Sequence, residues 1–156
     1  MSTFPGVGDK IPDIAMTAPD GSTVKPSDFA GRRLVIFFYP KDDTPGCTTE
    51  NKDFSALAGE FAAAGTALLG VSKDPPKKHA KFIDKHGLTA PLASDAEEGG
   101  LSDALGVWKE KSMYGRTYMG MERSTWLVSA DGVIERIWEK VKVKGHAQEV
   151  LGVVKG

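Results

Sequence analysis

Leu34-Val35-Ile36-Phe37-Phe38-Tyr39 is six apolar or aromatic residues in a row, without the polar alternation of a strand that has one wet face. Such a run needs cover on both sides, so the chain must place it centrally in a sheet with helices packed on it. The residues after it fit that demand. Phe54, Leu57, Ala58 and Phe61 recur at three- and four-residue spacing, which predicts an amphipathic helix ending near Gly65. Ala67 to Val71 predicts a second buried strand, so residues 34–71 form one βαβ unit with a right-handed crossover.

The flanking segments complete the sheet. Ile14–Ala18 and Ser22–Val24 flank Pro19-Asp20-Gly21, the turn of an N-terminal β-hairpin. Pro75-Pro76 opens a helix through His86, stopped by Gly87, and a short segment at Pro91–Ala93 precedes a small helix near Glu97 to Leu105. Val107–Glu122 is rich in Gly, Met and Tyr and reads as an irregular loop. Ser124–Val128 and Val133–Trp138 form a hairpin around Ala130-Asp131-Gly132, and a terminal helix starts near His146. The order predicts an α/β fold of the thioredoxin-like kind, a mixed central sheet flanked by helices. With 156 residues and no repeat, low-complexity tract or long linker, one domain over 1–156 is expected.

Composition narrows the function. A net charge of −1 gives no case for general binding to nucleic acid or anionic membrane, and no apolar run reaches the length needed to span a bilayer. No signal-peptide pattern is visible in Met1–Gly8, so a cytoplasmic location is expected. The single cysteine rules out an internal disulfide, a Cys-x-x-Cys redox pair and a Cys-rich zinc site.

That cysteine, Cys47, falls where the central strand gives way to the helix, in Tyr39-Pro40-Lys41-Asp42-Asp43-Thr44-Pro45-Gly46-Cys47. Pro45 suits the first helical position, Thr44 the N-cap, and Cys47 the first turn. There, unpaired N–H groups and the dipole favour a thiolate. Helical steps put Cys47, Glu50, Phe54, Leu57 and Phe61 on one face, with the sulfur at its exposed upper end. A free cysteine, with a pKa of about 8.5, is only a few per cent thiolate at neutral pH. Bringing such a group to a pKa near 6 takes roughly 3.4 kcal/mol, at about 1.36 kcal/mol per unit. A helix N-terminus supplies only about 0.3–1 kcal/mol, and ~2 in favourable sites. A cation must help, and Arg123, immediately before the strand Ser124–Val128, is the best candidate. Lys52, about 140° round the helix from Cys47, is not one.

Pro40-x-x-x-Thr44-x-x-Cys47 resembles the Pro-x-x-x-Thr/Ser-x-x-Cys signature of the peroxiredoxins. The wider string from Tyr39 to Thr48 resembles the bacterioferritin-comigratory, or peroxiredoxin Q, subfamily. The likeness runs from Gly8-Asp9-x-x-Pro12-Asp13 to Arg123 and the Asp131-Gly132 turn. It implies a hydroperoxide reductase with no metal and no organic cofactor. Cys47 would be the nucleophile that becomes a sulfenic acid. Thr44 would hydrogen-bond thiolate and peroxide, Arg123 would hold the thiolate and polarise the O–O bond, and Pro40 would shield the pocket. Glu50, one turn below Cys47, would orient Arg123 or donate into the network.

Many members of the subfamily carry a resolving cysteine five residues after the first, where this chain has Lys52. The sulfenic acid must then be reduced by an external thiol such as thioredoxin, or glutaredoxin with glutathione, and the chain is expected to be a monomer or weak dimer. A redox sensor or holdase with a slowly recycled Cys47 is the alternative. A cysteine hydrolase would need a histidine base, and His79, His86 and His146 are scattered over helices with polar neighbours. The loop residues Met113, Tyr114, Tyr118, Met119 and Met121 are expected to cover apolar surface.

Overall fold

A computed structural model describes residues 4–96 and 99–156. The central run forms β3 (Arg33–Phe38), from which α1 (Pro45–Ala63) crosses to the parallel strand β4 (Thr66–Ser72). Next come α2 (Pro76–His86) and β5 (Leu92–Ser94), parallel to β4. The N-terminal hairpin, β1 (Met16–Thr17) and β2 (Thr23–Val24), extends this edge, with β1 antiparallel to β5. On the other side β8 (Ser124–Val128) runs antiparallel to β3, and β9 (Ile134–Trp138) antiparallel to β8. The order β2-β1-β5-β4-β3-β8-β9 is the expected mixed, thioredoxin-like sheet. A one-turn helix, α3 (Leu101–Ala104), and the terminal helix α4 (His146–Lys155) complete it. The small helix expected from Glu97 is thus found only as α3, and Glu97 and Glu98 lie outside the described residues.

The apolar run is covered on both faces, as its composition requires. Val35, Phe37 and Tyr39 point into one cluster with Phe54 and Phe61 of α1, Phe82 of α2 and Val150 and Leu151 of α4. Leu34, Ile36 and Phe38 point the other way, onto Leu69, Val71, Trp126, Ile134 and Leu101. This is the two-residue period of a strand read in side-chain burial. Phe37 and Phe54 stack with ring centroids 4.3 Å apart, which fixes how α1 lies on β3 and so where the first turn of α1 ends up.

One expected loop is structured. Residues 107–122 contain a two-stranded hairpin, β6 (Trp108–Met113) and β7 (Arg116–Met121), paired from Trp108↔Met121 to Met113↔Arg116. Tyr114 and Gly115 turn it with φ of 52° and 77°, the left-handed pair that a two-residue hairpin connection needs. Most of the hairpin faces solvent, so its sequence shows no buried alternation from which a strand could be read. Met113, Tyr114, Tyr118 and Met119 are exposed rather than covering apolar surface, and only Met121 enters the core. His79 is fully buried and His146 nearly so, each against polar partners from elsewhere in the fold, Asp42 and Thr125.

Phe54→Ala should cost about 3–5 kcal/mol of stability, the range for removing a packed aromatic ring from a core. Urea denaturation of the two proteins checks this, and a loss under about 1 kcal/mol would mean that the stack does not hold α1.

Candidate active site

The register of two strands brings the site together. Phe38 of β3 pairs with Ser124 of β8, so Arg123, one residue before β8, stands opposite Tyr39, one residue past β3. The chain then runs through Pro40–Thr44 into α1, which returns Cys47 to the same end of the sheet. The Arg123 Nη2 lies 3.4 Å from Cys47 Sγ and Nη1 lies 2.6 Å from Glu50 Oε1. The three expected residues Cys47, Glu50 and Arg123 therefore form one contiguous unit. On the outside, the backbone N–H of Val141 donates to the carbonyl of Arg123 at 2.9 Å, tying the segment after β9 to the base of this arginine.

Thr44 has the extended backbone of an N-cap, φ −97° and ψ 155°, but its side chain does not cap. The hydroxyl donates to the carbonyl of Lys41 at 2.8 Å, turning the entry loop back on itself. The expected side-chain capping bond is thus absent: no first-turn N–H of α1 donates to the Thr44 hydroxyl, although the Thr48 N–H donates to the Thr44 carbonyl at 2.8 Å. Pro40 is exposed just past β3. Cys47 itself is buried, with 1% of its surface exposed, and this corrects the expectation of an exposed position for the sulfur. Lys52 is exposed and on another face of α1, as its helical angle requires.

Two residues at the site carry no obvious signal in the sequence. Gly46 leaves room for the guanidinium: a Cβ there would lie 3.3 Å from Arg123 Nη2. The close approach of Arg123 is what a side chain at this position would disturb. Asn51 is wholly buried and donates through Nδ2 to the carbonyl of Cys47 at 2.9 Å, holding the turn that carries the sulfur.

Burial pushes the Glu50 carboxyl up to about 7, against the lowering pull of Arg123. Burial also works against the charge of Arg123, but Glu50 and Cys47 more than offset it and raise the arginine. These directions conflict in part, because a neutral Glu50 cannot hold the arginine's charge. The upward shift of Glu50 governs, since its side chain is 1% exposed while that of Arg123 keeps 17%. Among the described residues Glu50 Oε2 also has no hydrogen-bond partner, which makes the ionised form the more costly one to bury. Near neutral pH, Glu50 therefore orients Arg123 while leaving much of its positive charge to the sulfur.

The sign of the linkage follows. Between about pH 4.5 and 7 folded Glu50 keeps a proton that the unfolded chain has lost. Its favourable contribution is complete below the lower value and lost as the pH rises through the upper one, a change of about 3 kcal/mol. Glu50→Gln should remove that decline in stability from urea titrations across the window; an unchanged decline would contradict a raised Glu50. Gly46→Ala should displace Arg123 by a few tenths of an ångström and slow peroxide reaction about tenfold, read by stopped-flow. An unaltered rate would mean the guanidinium tolerates the shift.

The AhpC/TSA family matches residues 7–137. Peroxiredoxin Bcp of Bacillus subtilis is 46% identical over 149 residues, covering 96% of this chain and 94% of that protein. Peroxiredoxin Bcp of Xanthomonas campestris is 49% identical over 143 residues, covering 92% and 89%. Among solved structures, Xanthomonas campestris peroxiredoxin Q superposes with a TM-score of 0.86 at 48% identity, covering 91% of this chain and 89% of that one. A structure of the bacterioferritin comigratory protein from the same organism, whose reported activity is alkyl peroxide reduction, also gives 0.86, at 45% identity and covering 94% and 98%. A cysteine variant of the Xylella fastidiosa protein reaches 0.91 at 38% identity, covering 99% and 98%. With the Pro-x-x-x-Thr-x-x-Cys segment at the start of α1 and an arginine on its sulfur, the chain belongs to the AhpC/TSA family, within the Bcp, or peroxiredoxin Q, group of peroxiredoxins.

Proposed function

We propose that this protein is a thiol-dependent peroxidase that reduces hydrogen peroxide and organic hydroperoxides through Cys47, by a one-cysteine cycle. The contact of the Arg123 guanidinium with the Cys47 sulfur carries the reading. It supplies the cation that a helix N-terminus alone falls short of, and the same group can stabilise the oxyanion that forms when the O–O bond breaks.

The Cys47 thiolate attacks the terminal oxygen of the hydroperoxide. An S–O bond forms, the O–O bond breaks, and the departing alkoxide or hydroxide takes up a proton to leave as alcohol or water. Cys47 is oxidised to the sulfenic acid and the peroxide is reduced. Arg123 holds the thiolate and the reacting oxygens, and the uncapped first-turn amides of α1 add donors on the same side. Thr44 donates its one hydroxyl hydrogen to Lys41, so on approach of a peroxide its oxygen would accept a hydrogen bond from the peroxide O–H. Pro40 limits water at the lip, and Glu50 orients Arg123 through the 2.6 Å bond.

With one cysteine in the chain, an external thiol condenses with the sulfenic acid, releasing water and leaving a mixed disulfide. A second thiol releases Cys47 and leaves as the oxidised donor. A thioredoxin, or a glutaredoxin with glutathione, suits this step, and the reducing cytoplasm is the compartment that supplies them. Among the described residues no helix is long and apolar enough to cross a membrane. A hydrolase reading lacks its base, because His79 faces Asp42, His86 faces Asp43 and His146 faces Thr125.

Cys47→Ser should abolish peroxidase turnover, and Arg123→Met should lower the rate of Cys47 oxidation by two orders of magnitude or more, about 3 kcal/mol of transition-state stabilisation. Stopped-flow oxidation and a coupled thiol assay check both. Turnover surviving in the serine variant would sink the proposal. Rapid oxidation with slow recovery by every thiol donor would favour the sensor reading instead.

A further inference from the structure

Asp42 lies two residues past Pro40, is buried, and has no part in the chemistry above. Its Oδ1 accepts from the Tyr39 hydroxyl at 2.5 Å, and its Oδ2 lies 2.6 Å from Nδ1 of His79 on α2. The other ring nitrogen of His79, Nε2, lies 3.1 Å from the carbonyl oxygen of Ala93 in β5. The backbone N–H of Asp42 donates to Asp74 Oδ2 at 2.8 Å, and Asp74 in turn pairs with Lys78 at 3.1 Å. The buried side chains of Asp42 and His79 have no exposed surface at all.

The geometry fixes the number of protons. A carbonyl oxygen can only accept, so His79 Nε2 must carry a hydrogen. Nδ1 and the Asp42 oxygen must then share one proton, either as imidazolium and carboxylate or as imidazole and carboxylic acid. In both forms the pair as a unit is neutral, which is what allows it to sit fully out of water. Remove that proton and two lone pairs face each other. Tyr39 cannot supply a replacement charge, because burial and Asp42 hold its hydroxyl protonated far above the usual range. Asp74 is already engaged by Ser72, Lys78 and the Asp42 amide.

We propose that the Asp42–His79 pair is a positioning clamp that fixes the loop of residues 40–44 against α2, so that Pro40 and Thr44 are presented to the peroxide. It deepens, and rests on, the reading of Cys47 as the peroxide-reducing group. The next residue strengthens the argument. Asp43 has φ 61°, and its carboxylate is bonded to Lys85 at 2.8 Å and to His86 at 2.9 Å, both also on α2. Two consecutive loop residues are thus tied to one helix, the first by a buried anchor and the second by an exposed one. Salt screens the exposed pair, so the buried pair decides where the loop stands. Neither residue touches the sulfur; they act through the loop.

The test compares Cys47 reaction with hydrogen peroxide and with iodoacetamide in the wild type, Asp42→Ala and Asp42→Asn. Iodoacetamide needs only the thiolate, whereas peroxide needs the loop. Asp42→Ala should slow the peroxide reaction about tenfold or more while alkylation stays within about threefold. In Asp42→Asn the amide donates to neutral His79 Nδ1 and its oxygen still accepts from Tyr39. That variant should keep the peroxide rate within about threefold of wild type. An unslowed Asp42→Ala, equal losses in both variants, or equal slowing of both electrophiles would overturn the clamp. If Asp42→Ala does not fold, Asp42→Asn decides alone: a tenfold loss of the peroxide rate overturns it. A wild-type rate no faster than a free thiol's would instead sink the peroxidase reading, and the clamp with it.

Discussion

A guanidinium held between a buried carboxyl and a thiol sulfur is the interaction around which this end of the molecule is arranged. It exists because β3 and β8 pair in a register that sets Arg123 opposite the exit of the central strand. A slip of one residue would turn the side chains of β8 to the opposite face, separating Trp126 and Val128 from the cluster they share with Ile36. The position of Arg123 beside Cys47 is therefore fixed by the same alternation that builds the core. The Phe37–Phe54 stack performs the equivalent service for α1, fixing the height at which its first turn meets the arginine.

The site stores its charge under constraint. Cys47, Glu50 and Asn51 are all buried, and Arg123 keeps only a small exposed fraction. A low local dielectric strengthens the guanidinium's hold on a thiolate, and it equally raises the cost of ionising Glu50. A carboxyl pushed up to about 7 can align Arg123 by a hydrogen bond while neutralising it only in part near neutral pH. The absence of a glycine side chain at position 46 allows the guanidinium to come close enough for this division of labour.

Much of this was legible in the sequence, for identifiable reasons. The run Leu34–Tyr39 and the helical period after Cys47 are strong signals because each buries large side chains on a defined face. The unit Cys47, Glu50 and Arg123 followed from helical spacing, an energy shortfall and the resemblance to peroxiredoxins. What escaped were features with no periodic cost. The β6–β7 hairpin is mostly wet, so its strands carry no core stripe. The side chain of Thr44 had two competing carbonyl and amide partners, and only coordinates show that it chose Lys41. His79 looked polar because its helix is rich in lysine, whereas its burial depends on Asp42 thirty-seven residues away in sequence.

The most direct test of the account is a stopped-flow titration of reduced protein with hydrogen peroxide, followed by the fluorescence of Trp108, Trp126 and Trp138 and by mass spectrometry of Cys47. The account predicts rapid oxidation at one equivalent of peroxide, addition of a single oxygen at Cys47, and full recovery on adding an external thiol. Oxidation at the rate of an ordinary free thiol, or an oxidised form that no thiol recycles, would contradict it.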